Sequence, residues 1–85
     1  MELTDLPNIG PVLAGNLRAV GIKTAEELQS AGACEAWLRI RTRVDGGACF
    51  HQLTALAGAE AGIPKKDLPL RRKEELKAFF DRAVK

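Results

Sequence analysis

Leu6-Pro7-Asn8-Ile9-Gly10-Pro11-Val12-Leu13-Ala14-Gly15-Asn16-Leu17-Arg18-Ala19-Val20-Gly21-Ile22-Lys23 is the stretch from which the fold is read. Pro7 to Gly10 has the residue types of a tight turn. Pro11 suits the first position of a helix, where its missing N–H costs nothing. Leu13, Leu17 and Val20 recur at i, i+4 and i+7, one apolar stripe at helical spacing. Gly21 suits a left-handed cap, with Ile22 folding back onto Leu17. A turn that runs into a helix start leaves the first backbone N–H groups unpaired at the positive end of the helix dipole. That geometry suits a phosphate, and it places nucleic acid among the ligands to consider.

Downstream, the same punctuation recurs. Thr24-Ala25-Glu26-Glu27 reads as a capping box in which Thr24 and Glu27 reach each other's backbone N–H. The helix it opens stops at Ala31-Gly32. A third helix, about Ala33 to Val44, places Trp37, Ile40 and Val44 on one face before Asp45-Gly46-Gly47 breaks it. A fourth, about Ala48 to Ala61, directs Cys49, Leu53, Leu56 and Ala57 inward. Its alanines and Gly58 make it thin enough for a close neighbour and mark it as the central helix. Gly62-Ile63-Pro64 ends it. Asp67-Leu68-Pro69 then launches the last helix, Pro69 to about Val84, with Leu76, Phe79, Phe80 and Ala83 as its stripe. A single turn at Thr4–Leu6 completes the reading. No segment alternates with period two for long enough to make a strand. The expected fold is all-α: one domain over residues 1–85, built of four main helices and a fifth short one.

Composition agrees. Eighty-five residues, 46% apolar and 28% charged, describe a soluble globular domain rather than a disordered or fibrous one. A chain this short buries little more than ~60% of its unfolded surface, so its core has to be efficient. The aromatics are Trp37, Phe50, Phe79 and Phe80, leaving aliphatic residues and alanine to supply most of the core. The net charge of +2, from 13 basic and 11 acidic residues, is too small to signal a nucleic-acid binder by bulk charge. Basic residues do cluster, at Arg39, Arg41 and Arg43 and again at Lys65, Lys66, Arg71, Arg72 and Lys73. Their acidic neighbours Asp45, Asp67, Glu74 and Glu75 read as partners on solvated faces.

Several function classes find little support. Cys49 and His51 stand at i and i+2, which diverge by about 200° on a helix, so they do not make a nucleophilic pair. Cys34, Cys49 and His51 supply three zinc ligands where four at a recognised spacing are needed. Gly46-Gly47 lacks the Gly-Lys-Ser/Thr of a nucleotide-binding loop. No enzyme activity, cofactor, metal or small-molecule substrate is therefore expected. The longest stretch free of Lys, Arg, Asp and Glu, Gly46 to Ala59, is 14 residues, too short to span a bilayer as a helix. Met1-Glu2-Leu3-Thr4-Asp5 carries acid where a secretory leader needs a basic segment. A cytoplasmic protein with Cys34 and Cys49 as buried, reduced thiols is expected.

The opening stretch also resembles the helix-hairpin-helix element of DNA repair and recombination proteins, in which a Gly-apolar-Gly hairpin lies against the DNA backbone. Ile9, Gly10 and Ala14 match that element's apolar residue, second glycine and helix-packing alanine. Asn8 stands in place of the first glycine, and asparagine is among the few other residues that enter left-handed backbone space readily. A side chain then occupies the place where a phosphate would approach. Taken end to end, the chain resembles the C-terminal domain of the TfoX (Sxy) family, regulators of bacterial natural competence. Leu6 to Pro11, Val20 to Thr24, Ala36-Trp37-Leu38-Arg39, Cys49 to Ala59, Asp67-Leu68-Pro69 and Arg72 to Lys77 carry the likeness. The resemblance implies a small helical domain with a helix-hairpin-helix-like N-terminal half, attached to transcriptional control of DNA uptake.

Two functions stay open at this point. In the first, a non-enzymatic module touches duplex DNA weakly and without reading sequence. Asn8, Ile9, Gly10, Val12 and Leu13 form the contact, and Arg18 and Lys23 flank the bound backbone. In the second, the hairpin only packs helices, and the domain docks on a transcription regulator or RNA polymerase without touching DNA.

Overall fold

The computed structural model describes residues 1–84, with Lys85 outside the described residues. Five α-helices follow one another: α1 (Pro11–Ala19), α2 (Ala25–Ala31), α3 (Ala33–Arg43), α4 (Phe50–Ala61) and α5 (Leu70–Ala83). Two single 3-10 turns, Leu3–Asp5 and Lys65–Asp67, precede α1 and α5. The fold is all-α. Among the described residues the one β-type pairing is an isolated antiparallel bridge between Glu2 and Thr24, which lays the N-terminal segment beside the start of α2.

The glycine-isoleucine stops work as the sequence predicts. At the end of α1, Gly21 has φ +86° and its N–H donates to the Arg18 carbonyl, while the Ile22 N–H reaches back to Leu17. Gly62 and Ile63 repeat this at the end of α4, with bonds to Ala59 and Gly58. Each isoleucine caps the last carbonyls and turns its side chain toward the core. The cap of α2 differs in one bond. The Glu27 N–H donates to Thr24 Oγ1 at 3.1 Å, but the Glu27 carboxylate accepts from the Lys23 N–H at 2.9 Å rather than from the Thr24 N–H. Gly32 gives α3 no capping side chain, and Glu60 of α4 fills the role, accepting from the Ala33 N–H at 2.9 Å.

Trp37 is fully buried where α3 meets α4 and α5. Its indole N–H donates to the Cys49 carbonyl at 3.1 Å, and its ring lies 6.0 Å from Phe79 and 5.5 Å from Phe80. Leu3, Leu17, Ile22, Leu28, Ile40, Leu53, Leu56 and Leu76 are the other large side chains fully buried with it. The central place read for α4 is observed, since it packs against α2, α3, α5 and the Lys65–Asp67 turn. Two inward assignments need correction. Val44 follows the last helical residue of α3 and is 44% exposed. Cys49 is the N-cap of α4, in extended backbone with its side chain in solvent, because the helix begins at Phe50 rather than Ala48.

The two thiols accordingly differ. Cys34 is half-buried, and burial pushes its pKa above the ordinary thiol value, opposed in part by the Arg72 guanidinium. Reactivity follows thiolate access. One equivalent of a thiol reagent is expected to react rapidly at pH ~8 and a second several-fold more slowly, with the fast label on Cys49 by peptide mapping.

Candidate nucleic-acid interface

The hairpin ahead of α1 is anchored from both sides. Leu6 and Ile9 are buried, and the Ile9 N–H donates to the Leu6 carbonyl at 3.4 Å. Between them Asn8 takes φ +69°, making it the one described non-glycine residue in left-handed backbone. Gly10 then forms an N-cap with no side chain, and Pro11 opens α1. The segment before the hairpin is the Leu3–Asp5 turn, not an α-helix, so this element lacks a full leading helix.

The Gly10, Val12 and Leu13 amides donate to no group of the protein among the described residues; the first amide of α1 to do so is that of Ala14. Gly10 is exposed, and a Cβ placed on it would meet nothing within 4 Å. Val12 is 79% exposed and Leu13 half-buried. The unpaired donors therefore lie at the positive end of the helix, on a turn whose Gly10 and Val12 are exposed.

Arg18 and Lys23 lie elsewhere. Arg18 is in the last turn of α1, six residues beyond Val12 and thus ~9 Å along the axis, and Lys23 follows the Gly21 cap. Both are exposed, and neither has a carboxylate within ion-pair distance among the described residues. The Lys23 backbone N–H is already taken by Glu27. Close by, at the start of α2, the Glu26 carboxyl is held below its usual range by its own backbone amide and then by the Met1 ammonium at 3.3 Å. Elsewhere Arg39 pairs with Glu35 at 2.7 Å, Arg41 lies over the Trp37 ring, and Arg72 bridges Glu60 and Glu75.

Asn8 does not aim its side chain outward. Its Nδ2 donates to the carbonyls of Ala55 at 3.3 Å and Ile63 at 3.1 Å, and its Oδ1 accepts from the Lys65 N–H at 3.2 Å. The expectation of a side chain standing in the path of a phosphate is replaced by a clasp between the hairpin, α4 and the Lys65–Asp67 turn. Gly58 makes room for it, since a Cβ there would sit 2.5 Å from Asn8 Nδ2 and 2.7 Å from the Ile63 carbonyl oxygen. Lys65 and Lys66 read in the sequence as part of a separate basic region, whereas the structure sets the Lys65 backbone against the Asn8 side chain. The sequence signal lay in Asn8 replacing a glycine and in Gly58 breaking an alanine-rich helix. Among the described residues no three His, Cys, Asp or Glu side chains are grouped to hold a metal ion.

Replacing Asn8 with glycine keeps the left-handed backbone and removes the three clasp bonds, an expected loss of about 1–3 kcal/mol in urea unfolding. Asn8→Ala adds about 1–2 kcal/mol for an L side chain in left-handed space. Gly58→Ala favours the helix by up to ~1 kcal/mol but crowds two fixed atoms, and it is expected to destabilise by about 1–3 kcal/mol overall.

A family model described as the TfoX C-terminal domain matches residues 1–80. Protein Sxy of Escherichia coli (strain K12) is 38% identical over 80 residues, a match that takes in 94% of this chain. The chain spans only 38% of that relative's length. An uncharacterized protein from Listeria monocytogenes, solved in a triclinic crystal form, superposes with a TM-score of 0.90 at 46% identity, covering 93% of this chain and 89% of the other. A Listeria monocytogenes protein of unknown function in a tetragonal form gives 0.90 at 44% identity, covering 94% and 98%. Sequence match and shared backbone agree over nearly the whole domain: the chain belongs to the TfoX C-terminal domain family.

Proposed function

We propose that the domain is a non-enzymatic regulatory module serving transcriptional control of competence and DNA uptake, and that its hairpin touches the DNA backbone weakly. The observation that carries the DNA contact is the open Gly10-Val12-Leu13 amide set at the start of α1. Family membership supports the regulatory half of the reading. Backbone amides facing phosphate position a protein on DNA without identifying bases. In this role Ile9 anchors the turn from below and Asn8 fixes its backbone. Arg18 and Lys23 meet the DNA strand at the other end of α1. Sequence choice then belongs to a partner, a transcription regulator or RNA polymerase, with which the domain acts.

So few phosphate contacts give an affinity of ~10⁻⁴–10⁻⁶ M that falls steeply with salt. Fluorescence anisotropy with a labelled duplex at about 50 and 200 mM salt measures both properties. Binding at the lower salt is expected, equal for unrelated sequences. Arg18→Gln with Lys23→Gln is expected to leave melting unchanged and to lower the salt slope by up to about 2. No binding even at the lower salt overturns the DNA contact and leaves docking on a protein partner as the function.

A further inference from the structure

We infer that α5 is a releasable strap. It undocks from α3 and α4 as a unit, at a lower cost than unfolding the rest of the domain, and uncovers the aromatic side chains of Trp37 and Phe50 on which it lies. The inference makes no use of the DNA contact proposed above and adds a conformational device to the regulatory domain.

The polar bonds that fasten the body leave α5 out. Asn8 ties the hairpin to α4 and to the Lys65–Asp67 turn, Glu60 of α4 caps α3, and the Trp37 indole N–H donates to the Cys49 carbonyl at the start of α4. None of these bonds uses a residue of α5. Among the described residues no hydrogen bond joins α5 to α3 or α4. The one ion pair that does, Arg72 with Glu60 at 3.7 Å, is partly exposed, and such pairs contribute little. The other ion pairs of α5, Arg72 with Glu75 and Lys77 with Asp81, lie within the helix and do not resist its departure.

The apolar contact is narrow as well. Of the 14 residues of α5 only Leu76 is fully buried, with Phe79, Phe80 and Ala83 partly so. The helix also starts poorly. Pro69 offers no capping side chain, and Arg71, Arg72 and Lys73 occupy the first turn without an acidic residue, against the sense of the helix dipole.

The hinge is defined by what precedes it. Leu68 is buried and the Lys65 amide is held by Asn8, so the chain is anchored up to the residue before Pro69. Leu68 and Pro69 have extended backbone, and α5 begins at Leu70. Rotation there frees α5 and leaves the turn, the hairpin and the other four helices in place. Trp37, fully buried against Phe79 and Phe80, and Phe50, packed on Phe80, are what the release exposes. Segments with few buried contacts open first.

Native-state amide hydrogen exchange of the unmodified chain in low urea tests this. The amides from Glu74 to Ala83 should share one opening, at least ~10-fold more frequent than that of the slowest α3 and α4 amides, with a smaller but measurable urea dependence. Exchange of α5 along the same urea dependence as those amides overturns the inference. So does independent fraying of each α5 amide with no urea dependence. Asn8→Gly then separates the two units, because its clasp is present whether α5 is docked or released. The variant should quicken the slowest α3 and α4 amides roughly 5- to 150-fold, the factor that corresponds to the stability loss expected above, and leave the α5 opening within about 2-fold of its original frequency. Equal acceleration in all three helices overturns the inference. Should Asn8→Gly fail to fold, the exchange of the unmodified chain decides alone.

Discussion

The Asn8 side chain and the backbone of Ile63 and Lys65 approach α4 so closely that only a residue without a Cβ fits there without displacing them. Gly58 is that residue, and the Asn8 carboxamide fills the remaining space with bonds to Ala55, Ile63 and Lys65. Buried or half-buried backbone carbonyls need donors, and a side chain that supplies two donors and one acceptor at once satisfies several groups from a single position. The contact ties the first ten residues to the last third of the chain. It holds the hairpin and the Lys65–Asp67 turn against α4, and the proposed contact depends on the hairpin being held.

The remaining structure supports this junction with a small core. In a chain of 85 residues one large side chain carries much of the packing, and Trp37 does so here, fully buried with its indole N–H satisfied by the Cys49 carbonyl. Phe79 and Phe80 seat α5 on it, and Phe50 meets Phe80 at 5.4 Å between ring centres. Glu60 links three helices at a second corner by capping α3 and facing Arg72 of α5. The hairpin therefore projects from a body in which neighbouring helices are fastened by specific polar bonds as well as by apolar contact.

Such a body suits a regulatory role better than a strong DNA grip. In the proposed role, a few backbone amides with Arg18 and Lys23 give a contact that salt weakens readily, and its usefulness depends on a second interaction that raises the local concentration of DNA. The relation to a longer relative fits this view, because the matched region spans 38% of that protein. The helix-hairpin-helix likeness has a physical limit. The Gly-apolar-Gly logic survives in Asn8-Ile9-Gly10, but the leading helix is reduced to the Leu3–Asp5 turn, and the first glycine's place is used for internal bonding.

Local chemistry was legible without coordinates. Pro11, Gly21, Gly32 and Gly62 mark helix ends because proline fixes φ and glycine enters left-handed space, properties each residue carries wherever it stands. The stripes at Leu13-Leu17-Val20 and Leu76-Phe79-Phe80-Ala83 found their faces because helical periodicity repeats within a few residues. Boundaries one or two residues from the helix ends were less legible. Cys49 and Val44 continue a helical pattern on paper, yet each lies just past a helix end, where the period no longer applies. The candidate site divides the same way. The free amides of Gly10, Val12 and Leu13 follow from the Gly-Pro start of α1, a local rule. The inward turn of Asn8, the borrowed Glu60 cap and the arrival of Lys65 at the hairpin all join residues 27 or more positions apart. Sequence by itself determined the helices, their stops and the unpaired amides, since those depend on neighbours along the chain. Only the tertiary structure decided what stands beside them, because a distant contact exists only once the core has brought its two ends together.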